Sequence, residues 1–520
     1  MNPDLPPEPA QSRAPTAFAR SWQRLIWELR RPRRLTVFER GKRRRGVALV
    51  LVLGSLAILA VMLTEFQDET SADLGHALSE RDGIKAEYAA KSGLNLARLL
   101  IASEPTIRKA VAPLFMMMRR GPPQIPVWEF ADQVLGAFND AEGASQFKSL
   151  TGIALTQGQN LGLEGAGFEI VVVDEDSKLN LNSAAKGDAF SQQRMAVQIL
   201  GLLAGPQNNP LFDQKDSRGN FNTRQDVCSA LVDWSDPDVD QFPCDISGQF
   251  VQPGAEDNFY QLLEPPYERK NGAFDSLDEL HMVRGINDDF WAAFIEPDPL
   301  DPKKRVATVW GQGKVNVNTA NAQTLLAVIC GSAVENTPLC VDPLEQTKFL
   351  TVVGLIRTLT SGAPMFSSEK GFVQALKGQG MFGSVMTALQ MQPVVFRSDD
   401  EVAKGISAES KVFSIYATGT ATSGTRKTIR RIHEVVDFRG APAPPNLLAL
   451  AAAAASSAGG GSAPPMDPSQ MDPTQQAALM QQAGQAALPP VNLPEGATAD
   501  ALQGAFRPDP GGRVIYYRNE

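Results

Sequence analysis

Six carboxylates crowd one stretch of this sequence. Between Cys228 and Cys244 the run LVDWSDPDVDQ places Asp233, Asp236, Asp238 and Asp240, and GAEDNFY soon after adds Glu256 and Asp257. Like charges this close repel one another unless a cation sits among them, and hard oxygen donors select calcium over zinc or copper. The spacing is not that of an EF-hand, which needs a glycine at its sixth position and a distal glutamate. A solvated acidic loop is the competing reading of the same residues. The four cysteines form two local pairs, Cys228 with Cys244 and Cys330 with Cys340. An even count with short loops suits disulfides in an oxidising compartment, and the first bond would close the base of the acidic loop.

Other chemistry is poorly served. The sequence holds no GxSxG, no HExxH and no Walker loop, and its three histidines, His76, His281 and His433, are scattered. Nucleophile–base catalysis and a histidine-rich metal site are therefore not expected. Gly-Gln-Gly-Lys at 311–314 falls far short of a phosphate loop. Net charge is −9, yet residues 1–46 hold 12 Lys and Arg against 4 acids, so the body is more acidic than the whole. An acidic body argues against a broad nucleic-acid surface.

The elements that must position these residues begin with an anchor. Gly46 to Leu63, GVALVLVLGSLAILAVML, is uncharged and just long enough to cross a bilayer as a helix. Lys42, Arg43, Arg44 and Arg45 precede it, so the N-terminus stays inside and everything after Glu65 is translocated. Thr64, Glu65 and Phe66 come next, where a cleaved secretory signal would end in small residues. Helix formers continue through AEYAAKSGLNLARLLI, with Ile84, Tyr88, Leu94, Leu96, Leu99 and Leu100 as its apolar positions.

Beyond the helix, a strand-like run at 168–174 leads into KLNLNSA (178–184), and a second containing Val309 and Trp310 leads into KVNVNTA (314–320). The segments downstream of the two heptads also recur in order: ILGLLAG from Ile199 against LLAVICG from Leu325, ALVDW from Ala230 against GLIRTL from Gly354, and FDSLDELHMVRG against FSSEKGFVQALKG. This is an internal duplication. Asn182 or Ser183, and Asn318 or Thr319, are placed to cap the next helix in each repeat. The Gly-ended helices suggest helix-hairpin-helix-like units. Strands at 412–419 and 428–438 around Ser423-Gly424 read as a hairpin returning to the first strand. The expected divisions are a basic leader (1–46), the membrane part of the helix (47–63), its amphipathic continuation (64–120), the first part of an α/β head (121–184), a helical insert with the acidic loop (185–308), a second repeat (309–400) and the hairpin (401–439). An Ala/Pro/Gly/Gln-rich flexible linker (440–512) and a short segment (513–520), read as a frayed terminus rather than a docking plug, complete the chain.

Three features together resemble the minor pseudopilin K family of type II secretion systems: the Arg-Arg-Arg-Gly junction, the two N-x-N-S/T-A heptads, and DWSDPDVD with GAED. The resemblance covers residues 43 to about 438. It implies an α+β fold, a pilin-like long N-terminal helix plus antiparallel sheet with a large, duplicated, mostly helical domain (helix-hairpin-helix or SAM-like) inserted between strands. It also implies cleavage by prepilin peptidase between Gly46 and Val47. Leu51 then stands fifth in the mature chain, where most pilin-like subunits carry a glutamate that pairs with the preceding subunit's amine; the K family lacks it. A subunit at a filament tip has no predecessor to neutralise. The implied protein is non-enzymatic, held in the bacterial inner membrane with a periplasmic head. It starts and caps the pseudopilus during export of folded proteins, binding I- and J-type minor pseudopilins, the major pseudopilin and the assembly platform, with calcium on the six acids. The alternatives are a membrane-tethered DNA-binding module gripping phosphates near Arg284-Gly285-Ile286 and a metal-dependent hydrolase using the aspartates.

Overall fold

The computed structural model describes residues 47–117, 121–139, 142–145, 148, 163–215, 219–245, 258–360, 362–442 and 509–519. The chain divides into two units, 1–77 and 78–520. A single helix, α1 (Val47–Met117), begins in the first of them. All of Val47–Ala77 is exposed, and its first part, up to Leu63, is apolar, in a helix long enough to cross a membrane.

In the second unit α1 packs on a sheet. Its buried face is Ala86, Ala90, Leu94, Ala97 and Ile101, one per helical turn. The large residues Ile84, Tyr88 and Leu99, expected on that face, are instead 50, 59 and 63% exposed. The reason is a close backbone approach: a Cβ on Gly419 of the sheet would lie 1.8 Å from the carbonyl oxygen of Ala86, and one on Gly93 would lie 2.7 Å from the Phe168 ring. At those two approaches only a small residue fits, so Ile84, Tyr88 and Leu99 turn outward while Leu94 and Ile101 fill the face beyond.

From β1 (Ala166–Asp174) the chain enters a helical insert built twice. In the first repeat, β2 (Leu179–Asn180) leads to α2 (Ala189–Leu203) and α3 (Arg224–Ser235) and closes by parallel pairing with β3 (Ala307–Thr308), just ahead of Val309 and Trp310. In the second, β4 (Val315–Asn316) leads to α4 (Ala322–Ser332), α5 (Pro343–Leu359) and α6 (Glu369–Leu376) and pairs in parallel with β5 (Ile406–Ser407). The repeats meet where α2 crosses α4. A Cβ on Gly201 would sit 1.9 Å from the Ala327 carbonyl oxygen, and one on Gly331 2.1 Å from that of Val197. One continuous apolar core fills both repeats.

The chain then returns to the sheet through β6 (Val412–Ser423) and β7 (Arg426–Asp437), joined at Gly424, whose φ of +62° suits glycine. β8 (Arg513–Asn519) pairs with β7, giving an antiparallel sheet of order β1-β6-β7-β8. Residues 513–519 are therefore an edge strand rather than a frayed end. Arg98 of α1 fastens the approach to β8, donating to the Gly511 and Gly512 carbonyls at 2.9 and 3.0 Å and to Asp509 at 2.9 Å. The fold is α+β, with the helical insert between the first and second strands of the sheet.

Candidate functional site

The heptad asparagines do different work from helix capping. Asp188 caps α2 by accepting from Ser191 N–H, and Asn321 caps α4 by accepting from Thr324 N–H. Asn182 instead accepts from Phe274 N–H at 2.7 Å and donates to the Phe274 and Val309 carbonyls at 2.9 and 2.8 Å. Asn318 does the same in the second repeat, accepting from Met365 and Phe366 N–H and donating to the Phe366 and Ala408 carbonyls. Each side chain staples its repeat's first strand to the later segment that closes it, satisfying backbone groups that would otherwise be buried unpaired.

On the first of these scaffolds stands the acidic turn. A capping box of Thr223 and Asp226 starts α3, and Cys228 in its second turn is bonded to Cys244 with their Cα atoms 6.0 Å apart. Cys330 and Cys340 form the second disulfide. Asp233 ends up in the last turn of α3 and Asp236 at its C-cap, both buried, while Asp238 and Asp240 lie on the exposed turn beyond it. Trp234 between them is packed on the rings of Tyr260 and Phe274, which fixes the direction of the turn.

Asp233 accepts from Phe242 N–H at 2.8 Å, and Gln192 of α2 donates to both Asp236 at 3.1 Å and Asp238 at 3.2 Å. The Asp236 Oδ1 atom is buried with no hydrogen-bond partner. Burial first, and then the Asp238 charge, push the Asp236 carboxyl up to about 7; burial pushes Asp233 up to about 8. Arg269 and Asn271 clasp the turn from the far side through the Asp238 carbonyl, at 3.3 and 3.2 Å. Neither stands out in the sequence, where an Arg-Lys-Asn run outside the loop has the look of surface. With all three aspartates ionised, the one arginine leaves two negative charges, the complement of one divalent ion.

These residues fit calcium in donor type, in charge and in the orphaned Asp236 oxygen. Asp240 is turned outward, and Glu256 and Asp257 lie outside the described residues, as does Gly46. Among the described residues no three carboxylate, imidazole or thiolate groups converge as a metal site. The turn suggested for phosphate binding is otherwise occupied: Arg284 pairs with Asp226 at 3.0 Å and lies over the Phe259 ring.

A second polar cluster lies where the sheet meets the insert. Asp174 at the end of β1 accepts from the hydroxyls of Thr319 and Ser410, and Asp176 accepts from N–H groups of Gln312, Lys411 and Val412. Lys178 is buried beside them, its Nζ donating to the Asp174 carbonyl at 3.0 Å. Burial, reinforced by Asp176, raises the Asp174 carboxyl; burial also raises Asp176 and lowers Lys178. This knot ties β1, both repeats and β6 together, so its role is architectural.

A family model described as type II secretion system (T2SS), protein K, matches residues 177–295, from the first heptad to the end of the first repeat's helices. No curated protein matches the chain. Among solved structures, a chain of the GspK-GspI-GspJ complex from the enterotoxigenic Escherichia coli type 2 secretion system is similar at 13% identity and a TM-score of 0.39, over 70% of this chain and 95% of that one. The family match falls on the repeat that holds the clasped aspartates and their disulfide, so over residues 177–295 the chain matches the type II secretion system protein K family.

Proposed function

We propose that this minor pseudopilin is the tip subunit of the pseudopilus, starting its assembly and capping it, and that it carries out no catalysis. The observation that carries this reading is α1. One helix is wholly exposed and apolar over Val47–Leu63 and then packs on the head through a face of alanines. With Leu51 in place of a glutamate, the rod brings no carboxylate into the bilayer or filament core, where an unpaired charge costs several kcal/mol. That suits a subunit with no predecessor. The N-terminus is cytoplasmic and the head periplasmic, after cleavage between Gly46 and Val47. Outward-facing Ile84, Tyr88 and Leu99 offer a ridge to neighbouring helices. The partners proposed are minor pseudopilins of the I and J type, together with the major pseudopilin and the assembly platform.

Calcium is proposed at the acidic turn, held by Asp233, Asp236 and Asp238, with Asp240, Glu256 and Asp257 as further candidates. Bound there, it would supply the positive charge that two buried carboxylates lack and brace an irregular loop. The test of the main reading is the mature protein itself. Mass spectrometry of membranes from a secreting strain should give an N-terminus at Val47, and the full chain should co-purify with the I- and J-type subunits. A leader still attached in a secreting strain, or a chain that captures neither subunit, would refute it.

A further inference from the structure

Where the outer face of the sheet meets the first repeat there is a cleft of about 320 Å³, at the low end of the ~300–1,000 Å³ typical of ligand sites. Four rings line it in series. Tyr416 of β6 stacks on His433 of β7 with centroids 4.1 Å apart and planes at 7°; Tyr516 of β8 lies 5.2 Å from His433, and Trp310 lies 5.5 Å from Tyr516. At the bottom, Ser414 is 1% exposed and its hydroxyl has no hydrogen-bond partner, so the cleft holds a buried polar atom that nothing in the described chain satisfies.

Charge is arranged unevenly around the opening. Arg431 and Arg518 stand exposed on the sheet rim. Arg305 inside is held by the Tyr416 hydroxyl at 3.4 Å and by Glu296 at 3.6 Å, and the buried Glu175 on the inner wall, away from the sheet rim, accepts from the Thr308 hydroxyl. On the opposite rim Asp275 is paired with Lys270 at 2.6 Å, which leaves Asp278 as that side's acid. A ligand that satisfies this pattern carries negative charge at the sheet end and a flat ring in the middle. The space admits one or two side chains rather than a folded domain.

We propose that the cleft is a docking site for an extended, acidic peptide segment bearing an aromatic side chain, with its carboxylates toward Arg431 and Arg518. Tyrosine, tryptophan and arginine are the residue types that concentrate binding energy at interfaces, and here they line one half-buried cleft. Because Tyr516 and Arg518 both come from β8, the site is complete only when that strand is paired. This inference is independent of the tip assignment and of calcium.

The experiment uses the detergent-solubilised full chain and fluorescence anisotropy of a labelled peptide, two aspartates followed by a tyrosine and a tryptophan. A counterpart with lysines for the aspartates and a chitohexaose competitor are run beside it. The acidic peptide is expected to bind at least about tenfold more tightly than the lysine peptide, and more weakly as salt rises. Arg431→Glu with Arg518→Glu, both on exposed side chains, should cut affinity about tenfold or more with an unchanged melting curve. Asp278→Ala should leave binding intact or strengthen it. No binding of the acidic peptide at millimolar concentration, equal binding of both peptides, or indifference to the double substitution overturns the proposal. Displacement of the peptide by chitohexaose also overturns it, in favour of a glycan.

Discussion

The two repeats of the insert share a scaffold and differ in charge at the end of one helix. Both use a short parallel strand pair and an asparagine, Asn182 or Asn318, that binds the backbone of a later segment. On the helix after the α2–α4 crossing, the first repeat has Asp233 where the second has Arg357. Arg357 is half-buried and donates to the Ala320 and Asn318 carbonyls, so the second repeat carries its cation within the chain. The first repeat has acids instead, with Arg269 meeting only part of their charge. The acidic turn is therefore not a requirement of the fold, since its sibling folds with the opposite charge. It is an addition, and the missing positive charge has to come from protons or from a bound ion.

The most severe way to break this comparison is to break both repeats at once. Gly201→Ala places a Cβ against the backbone of Ala327 and Gly331. Neither backbone is free to yield, so the cooperative thermal transition of the head is expected to fall by about 3 kcal/mol or more; an unshifted melt would mean that the helices slide apart without penalty. Next come Asn182→Ala and Asn318→Ala, each leaving several backbone groups unsatisfied and each expected to cost about 2–3 kcal/mol in urea unfolding. Equal losses support equivalent roles, and a loss confined to one repeat would end the equivalence.

Calcium sharpens the contrast. At a hundredfold excess over its dissociation constant it would stabilise the head by about 2.7 kcal/mol. EGTA should reverse the shift, and Asp236→Asn with Asp238→Asn should abolish it. Cys330→Ser with Cys340→Ser should leave it in place, because that disulfide belongs to the other repeat. The smallest effect expected is with pH, at the knot shared by both repeats. The carboxyls of Asp174 and Asp176 are raised above their ordinary 3.8, so the fold favours their protonated forms. Their contribution is present in full below about pH 4 and is lost as pH climbs toward neutrality. Lys178 works in the opposite sense, at higher pH. Asp174→Asn should flatten the stability profile between about pH 4 and 7; an unchanged slope would place the titration elsewhere.

Much of this architecture is legible in the residues. The apolar run after the arginines, the hairpin at Ser423-Gly424 and the twin heptads each carry their own local signal, and all three are elements of the structure. The features that escape a reading of the sequence are non-local. The packing face of α1 is hidden because alanine carries little hydrophobic signal, and its burial depends on Gly419 far along the chain. The asparagines resemble helix caps because their partners, Phe274 and Phe366, lie many residues downstream. Asp174 and Asp176 pass as the polar end of a strand, although the groups they bind come from Thr319, Gln312 and Ser410. In the acidic stretch the aspartates themselves are evident, while Gln192, Arg269 and Asn271 become visible only when folding brings them to the same turn.

β8 has a consequence for how the head holds together. It reaches β7 only after the whole of 438–512, and covalent attachment is what keeps its local concentration high, in the millimolar range for a short tether and lower for a long one. A single nick within 443–508 would turn the last strand into a separate peptide. The head would then behave as a two-piece complex, intact when concentrated and incomplete on dilution, with Tyr516 and Arg518 leaving together.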